Sequence, residues 1–417
     1  MHTRSFSTFG SLACALGFFP SAATADFIEA NWAARTGEGD WFDPLSWDVG
    51  QVPDNRDGNS YAVSFNSLST VNLDGKDINP VVTDFQSTGG MKLNTKSIPT
   101  LTVLGELNQV SGVFELGDTQ LILEEGSSAL ITGGLTLSAQ GKIVNRGTLS
   151  IGARLLTLNI GLATNEPDIV NAAGGTVRLN IAGNNEDKNN FITHNAGTFI
   201  VAQDQLESTK TFLQAEATGV VRVHEGAVLK SADLSLVAGL VQGAGLYDGT
   251  GGKGISFGDG TTGAMVDPGL GTGDAAELTF QGNVGEMGGA MLHFDIHGTE
   301  PGAGHDHLLV YNLDQNSMDL TGVILEIVLG YVPGADDYFD IITSDMPILG
   351  FFENEENGRV SFVQGSFAVV RSEQKGKSVI RLEDFALVPE PSAWVEAAGL
   401  GLLAFSGWRH SRRTRPS

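Results

Sequence analysis

Asn145-Arg146-Gly147-Thr148-Leu149, Asn171-Ala172-Ala173-Gly174-Gly175-Thr176-Val177 and Asn195-Ala196-Gly197-Thr198-Phe199 repeat one short phrase, and their asparagines lie 26 and 24 residues apart. A period in that range is the length of one solenoid coil. Asn and Gly tolerate the left-handed geometry of a tight turn, and the Thr and apolar residue that follow open a strand able to stack on the coil before it. Looser copies at Glu125-Gly126-Ser127-Ser128-Ala129-Leu130-Ile131 and Glu225-Gly226-Ala227-Val228-Leu229 extend the pattern to both sides. The expected architecture is a parallel β-helix over residues 101–247, although hydrophobic periodicity alone also describes a long sandwich.

Apolar residues elsewhere alternate over short runs, as in Tyr61-Ala62-Val63-Ser64-Phe65, Leu101-Thr102-Val103-Leu104 and Leu292-His293-Phe294-Asp295-Ile296. That is the period of half-buried strands, so the whole chain is expected to be all-β. Hydrophobic residues make up 41% of the sequence, too much for wholesale disorder. The glycine-dense stretch from Gly239 to Gly273 lacks the side chains for a core and is predicted to supply turns and a connector over 248–276. Gly251-Gly252-Lys253-Gly254-Ile255-Ser256 is similar to a calcium-binding nonapeptide, but Ser256 stands where the liganding Asp belongs and no second copy follows. Seven short alternating segments over 277–385 then predict a sandwich-like module or a final β-helix cap.

Ahead of the repeats, residues 26–100 hold Trp32, Trp41 and Trp47 within a few turns of one another. Such rings either stack on sugars or pack as a cap over the first strands, and the cap is the expectation because Trp is mostly buried. The Gly39-Asp40-Trp41, Asp43-Pro44, Trp47 and Val52-Pro53 opening resembles that of autotransporter-like bacterial surface proteins. So do Asp267-Pro268-Gly269-Leu270, His305-Asp306-His307-Leu308 and Gly334-Ala335-Asp336-Asp337-Tyr338-Phe339, which resemble the C-terminal strand domain of the same proteins. The resemblance implies architecture and no common chemistry.

The two ends carry addresses. Arg4, the apolar run Phe9 to Phe19 and the small residues Ala23-Thr24-Ala25 read as a secretory signal peptide over 1–25 with cleavage at Ala23 and Ala25. At the other end, over 386–417, Pro389-Glu390-Pro391 precedes a 16-residue segment from Ala393 to Trp408, and Arg409, Arg412, Arg413 and Arg415 follow. Prolines keep the first part extended, the second is a transmembrane helix candidate with Trp394 and Trp408 at its interfaces, and clustered arginines stay cytoplasmic. This order resembles the PEP-CTERM sorting signal. The resemblance implies an exosortase substrate that passes the secretory translocon, pauses in the inner membrane of a Gram-negative bacterium, and is delivered to the cell surface or extracellular matrix, with exopolysaccharide as the expected associate.

Charge and residue inventory limit the chemistry. Setting aside Arg4 and the tail's Glu390, Glu396 and four arginines leaves 19 Lys+Arg against 47 Asp+Glu, a net of −28 for the exported part. Such a surface repels nucleic acid. The single cysteine, Cys14, lies in the leader, so the mature chain has no disulfide or thiolate chemistry. No nucleophile elbow, zinc-protease motif or phosphate loop is present, and no catalytic residue or cofactor is nominated. Metal candidates are His293, Asp295 and His297, spaced two apart along one strand face, with His305 or His307 arriving across the turn. The simpler expectation is a solvated row, since Leu292, Phe294 and Ile296 claim the core, and residues two apart on a strand are nearly 7 Å apart. Two function classes follow: a noncatalytic surface or matrix protein, which the low Lys+Arg content favours, and a β-helix polysaccharide lyase or hydrolase.

Overall fold

The computed structural model describes residues 26–387, apart from 35–36, 74–78, 95–98, 138–139, 153–155, 159–166, 181–191, 259–261, 272, 285–286 and 312–316. Of the described residues 57% are strand and 2% helix, wound into a parallel β-solenoid of about nine turns. One wall is a 13-stranded parallel sheet that begins at Phe27–Asn31 and ends at Ile324–Leu329. A second long wall begins at Val81–Val82. The third, of six strands, runs from Glu38–Asp40 to Leu156–Leu158.

Period-two alternation sets which side chains fill the interior. In the 13-stranded wall, strand register places Val63 beside Phe85, then Leu107, Ala129, Leu149, Val177 and Phe199. The same row continues through Val221, Val241, Val266, Leu292 and Leu325. None of these is more than 2% exposed. Each Val, Leu or Phe of the row contributes on the order of 1.5–3 kcal/mol by leaving water, and no coil could bury its own apolar face without the neighbours above and below.

The repeated asparagines stand one above another. Asn145, Asn171 and Asn195 pair in register along the second wall and are buried. The Asn145 Nδ2 amide donates to Asn171 Oδ1 at 2.8 Å and the Asn171 amide to Asn195 Oδ1 at 2.8 Å. Asn195 in turn donates to Gln214 Oε1 at 2.8 Å. Each amide also donates to the backbone carbonyl of the residue that opens the next coil's strand: Thr176, Thr198 and Val220 respectively. Buried amides are tolerated because nearly every polar atom in the ladder has a partner.

Two expected boundaries do not interrupt the ladder of strands. Across the glycine-dense stretch, Leu240–Gly243 pairs in parallel with Met265–Pro268, which pairs with Met291–Ile296. Val241, Tyr247, Ile255, Phe257 and Val266 supply a buried core there. Several of the glycines sit where coils touch: a Cβ on Gly243 (φ 129°) would lie 1.9 Å from the Val223 carbonyl oxygen. They close the packing and do not form a connector. The module expected to be sandwich-like likewise continues the solenoid through Ile324–Leu329. Only then does the pairing change. Phe339–Ser344 is parallel to His307–Tyr311 on one side and antiparallel to Lys377–Leu387 on the other. Gly365–Gln374 and Arg359–Ser361 add further antiparallel strands.

Both ends of the described solenoid are covered by aromatic rings. At the start, Trp32 and Trp41 meet Trp47 edge-on at 5.1 and 4.9 Å, and Phe65, Phe85 and Phe114 continue the stack inward. Trp47 Nε1–H donates to the Trp41 carbonyl at 2.8 Å. At the far end Phe339, Phe362, Phe367 and Phe385 cluster beneath the antiparallel hairpin. Arg381 forks onto Asp340 at 2.7 and 3.0 Å and stacks over Tyr338. Among the described residues no helix is long and apolar enough to cross a membrane. The leader and the segment Ala393 to Trp408 lie outside them.

Candidate functional site

The polar face of the 13-stranded wall carries a second row, one residue out of phase with the apolar one. Gln242 pairs with Asp267, His293 follows one step beyond the Val266–Leu292 pair, and His293 pairs with Glu326. Parallel register thus sets four polar side chains side by side from four coils. Asp295, two residues after His293, shares its face. The expectation of a solvated His-Asp-His row fails here: His293 is 7% exposed and Asp295 fully buried, while His297 alone is exposed. The cover is the chain after Pro268. It folds back at Gly269, whose N–H donates to the Gly243 carbonyl, and the Gly273 N–H then donates to Asp295 Oδ2 at 2.6 Å. Alternation reports the face of a residue and is silent about a loop laid over that face.

Each acid in this nest has one oxygen held and one free. Gln242 Nε2 donates to Asp267 Oδ2 at 2.7 Å, whereas Asp267 Oδ1 and Asp295 Oδ1 are buried without a hydrogen-bond partner. His293 Nδ1 lies 2.9 Å from Glu326 Oε2, and its Nε2 lies 3.7 Å from Asp295 Oδ1. Ligand atoms of Asp267, His293 and Asp295 all fall within 4.8 Å of one another. The backbone spacing that argued against chelation is therefore not decisive, because side chains converge and the neighbouring coil adds the third donor. Burial pushes the Asp267 carboxyl above its ordinary range, against the pull of the Gln242 amide.

The remaining sequence candidates serve other ends. Asp306 is fully buried, accepting from Ala276 N–H at 2.9 Å and from Asp295 N–H at 2.7 Å, so it clamps two segments together. Burial pushes its carboxyl up to about 8 in spite of those donors. His305 faces the carbonyl oxygens of Gly298 and Asp340 and meets Phe339 edge-on; burial holds its pKa below the usual value. His307 sits between Glu277 Oε2 at 3.1 Å and Thr343 Oγ1 at 2.9 Å. Neither histidine reaches the His293 group. Asp267, in contrast, was not among the candidates. The signal that finds it is the coil offset, 26 residues before His293, once the register is known.

A groove of about 750 Å³ opens beside the Gly269 turn, with His224, Glu225, Asp274 and Glu277 among its polar lining. The sorting candidates Pro389, Glu390 and Pro391, the arginines Arg409, Arg412, Arg413 and Arg415, and the cleavage residues Ala23 and Ala25 lie outside the described residues. By its fold the chain is a parallel β-solenoid protein, an architecture found in enzymes and non-enzymes alike. No protein-family model matches it, and no curated protein does.

Proposed function

We propose that this chain is an exported, noncatalytic surface or extracellular-matrix protein, sorted by a PEP-CTERM tail and associated with exopolysaccharide. The observation that carries the proposal is the order Pro389-Glu390-Pro391, one apolar segment, then Arg409, Arg412, Arg413 and Arg415. In this scheme the leader brings the chain to the secretory translocon and the arginines resist crossing. The extended Pro-Glu-Pro peptide is then offered to an exosortase at the outer side of the inner membrane. The processing chemistry belongs to that enzyme; this chain is the substrate. A solenoid supports the role because stacked coils give a long rigid body with a broad surface, and the acidic exported part suits a hydrated matrix.

The test replaces Pro389, Glu390 and Pro391 by Ala in a host that has an exosortase, followed by fractionation and C-terminal peptide mapping. Apolar length and the arginine cluster are kept, so insertion should be nearly unchanged while processing stops and protein accumulates in the inner membrane. Processing at the wild-type rate would overturn the sorting role. The noncatalytic part is checked by incubating the protein with a broad polysaccharide panel. Release of new reducing ends or unsaturated products, abolished by a single Asp or Glu substitution, would replace it with the lyase or hydrolase reading.

A further inference from the structure

We propose that Asp267, His293 and Asp295 bind one first-row divalent transition-metal ion, which ties the coil of Met265–Pro268 to the coil of Met291–Ile296. Two buried carboxylate oxygens, Asp267 Oδ1 and Asp295 Oδ1, have no hydrogen-bond partner, and ligand atoms of these two residues and of His293 lie within 4.8 Å of one another. Like charges brought that close out of water repel unless something positive stands between them. Oxygen and nitrogen donors bind zinc at about 2.0–2.2 Å, so a spread of 4.8 Å closes around one ion with side-chain rotations of about 1 Å.

The surroundings hold each donor in place. Gln242 fixes the far oxygen of Asp267 and the Gly273 N–H the far oxygen of Asp295. Glu326 accepts from His293 Nδ1–H, which selects the tautomer with its lone pair on Nε2, the nitrogen 3.7 Å from Asp295 Oδ1. A carboxylate behind a ligating histidine is the usual outer-shell partner of a metal site and raises the basicity of the ligating nitrogen. The donor set also names the class of ion. Calcium and magnesium take oxygen ligands, whereas imidazole together with carboxylate suits zinc, nickel and iron. Three protein donors leave positions for water or for one more ligand.

The test uses the purified full chain, freed of metal with a chelator and titrated calorimetrically with Zn²⁺ at neutral pH, with thermal melting in parallel. The expected result is one tight Zn²⁺ per chain and a higher Tm, with no comparable heat or Tm shift from Ca²⁺. Asp267→Asn and His293→Gln, each shown to be folded by an unchanged circular dichroism spectrum, should weaken binding by at least about 100-fold. Glu326→Gln should weaken it by about 10- to 100-fold, and His297→Ala should leave it unchanged. Absence of stoichiometric Zn²⁺ binding by the wild type would overturn the site. Equal binding by folded Asp267→Asn and His293→Gln would also overturn it, placing the metal on other histidines.

Discussion

Asn171 accepts a hydrogen bond from the coil before it and donates to a side chain and a backbone carbonyl of the coil after it. Its truncation therefore orphans groups on two neighbours. Asn171→Ala should cost about 2–4 kcal/mol, more than Asn145→Ala, whose own Oδ1 has no partner to lose; urea unfolding of the two variants checks the order. Asp306→Asn should destabilise although it is isosteric. Both Asp306 oxygens accept backbone N–H groups, so an amide must turn an NH₂ against one of them, at about 1–3 kcal/mol. A variant as stable as wild type would remove the clamp. The ladder is legible in the one-coil spacing of the asparagines but not in the role expected of them: they end strands with buried side chains, and none has a left-handed φ. The acid nest was legible only in part: His293 and Asp295 stand out as a pair, but Asp267 joins them through register and the Gly273 segment buries them, and neither is written in local alternation.

At the scale of the element, glycine does two different jobs in this chain. Gly126 adopts φ 83° at an open turn where an added Cβ meets nothing within 4 Å. Gly126→Ala should then cost only the left-handed backbone penalty, about 1–2 kcal/mol. Gly243 combines φ 129° with a Cβ position 1.9 Å from the Val223 carbonyl oxygen, so Gly243→Ala must separate two coils and should abolish folding of that region, seen as lost amide protection from Val220–Val223 through Met265–Pro268. Comparable stability of the two variants would contradict the close packing. Strands were read correctly from alternation, because Tyr61, Val63 and Phe65 or Leu292, Phe294 and Ile296 do face the core. The stretch from Gly239 to Gly273 was misjudged for a physical reason. In a solenoid a few large side chains such as Tyr247 and Phe257 fill the interior, and glycine is required where backbones touch. Of the two readings over 277–385, parallel pairing favours the β-helix cap over the sandwich; alternation does not separate them, because short strands at even spacing look alike whether their neighbours run parallel or antiparallel.

On the scale of the whole molecule, a stack of coils covered at both described ends has its stability spread along the axis, so it should unfold in segments more readily than in one step. Residues 26–385, with a net charge of −28, should also resist self-association at low salt. The central claim, that the chain is sorted and processed at its tail, is tested most directly by the intact mass of the protein recovered from the cell surface of a host that carries an exosortase. The expected chain begins after Ala25 and lacks the segment holding Arg409, Arg412, Arg413 and Arg415. A surface-located protein whose mass still includes those arginines would contradict it.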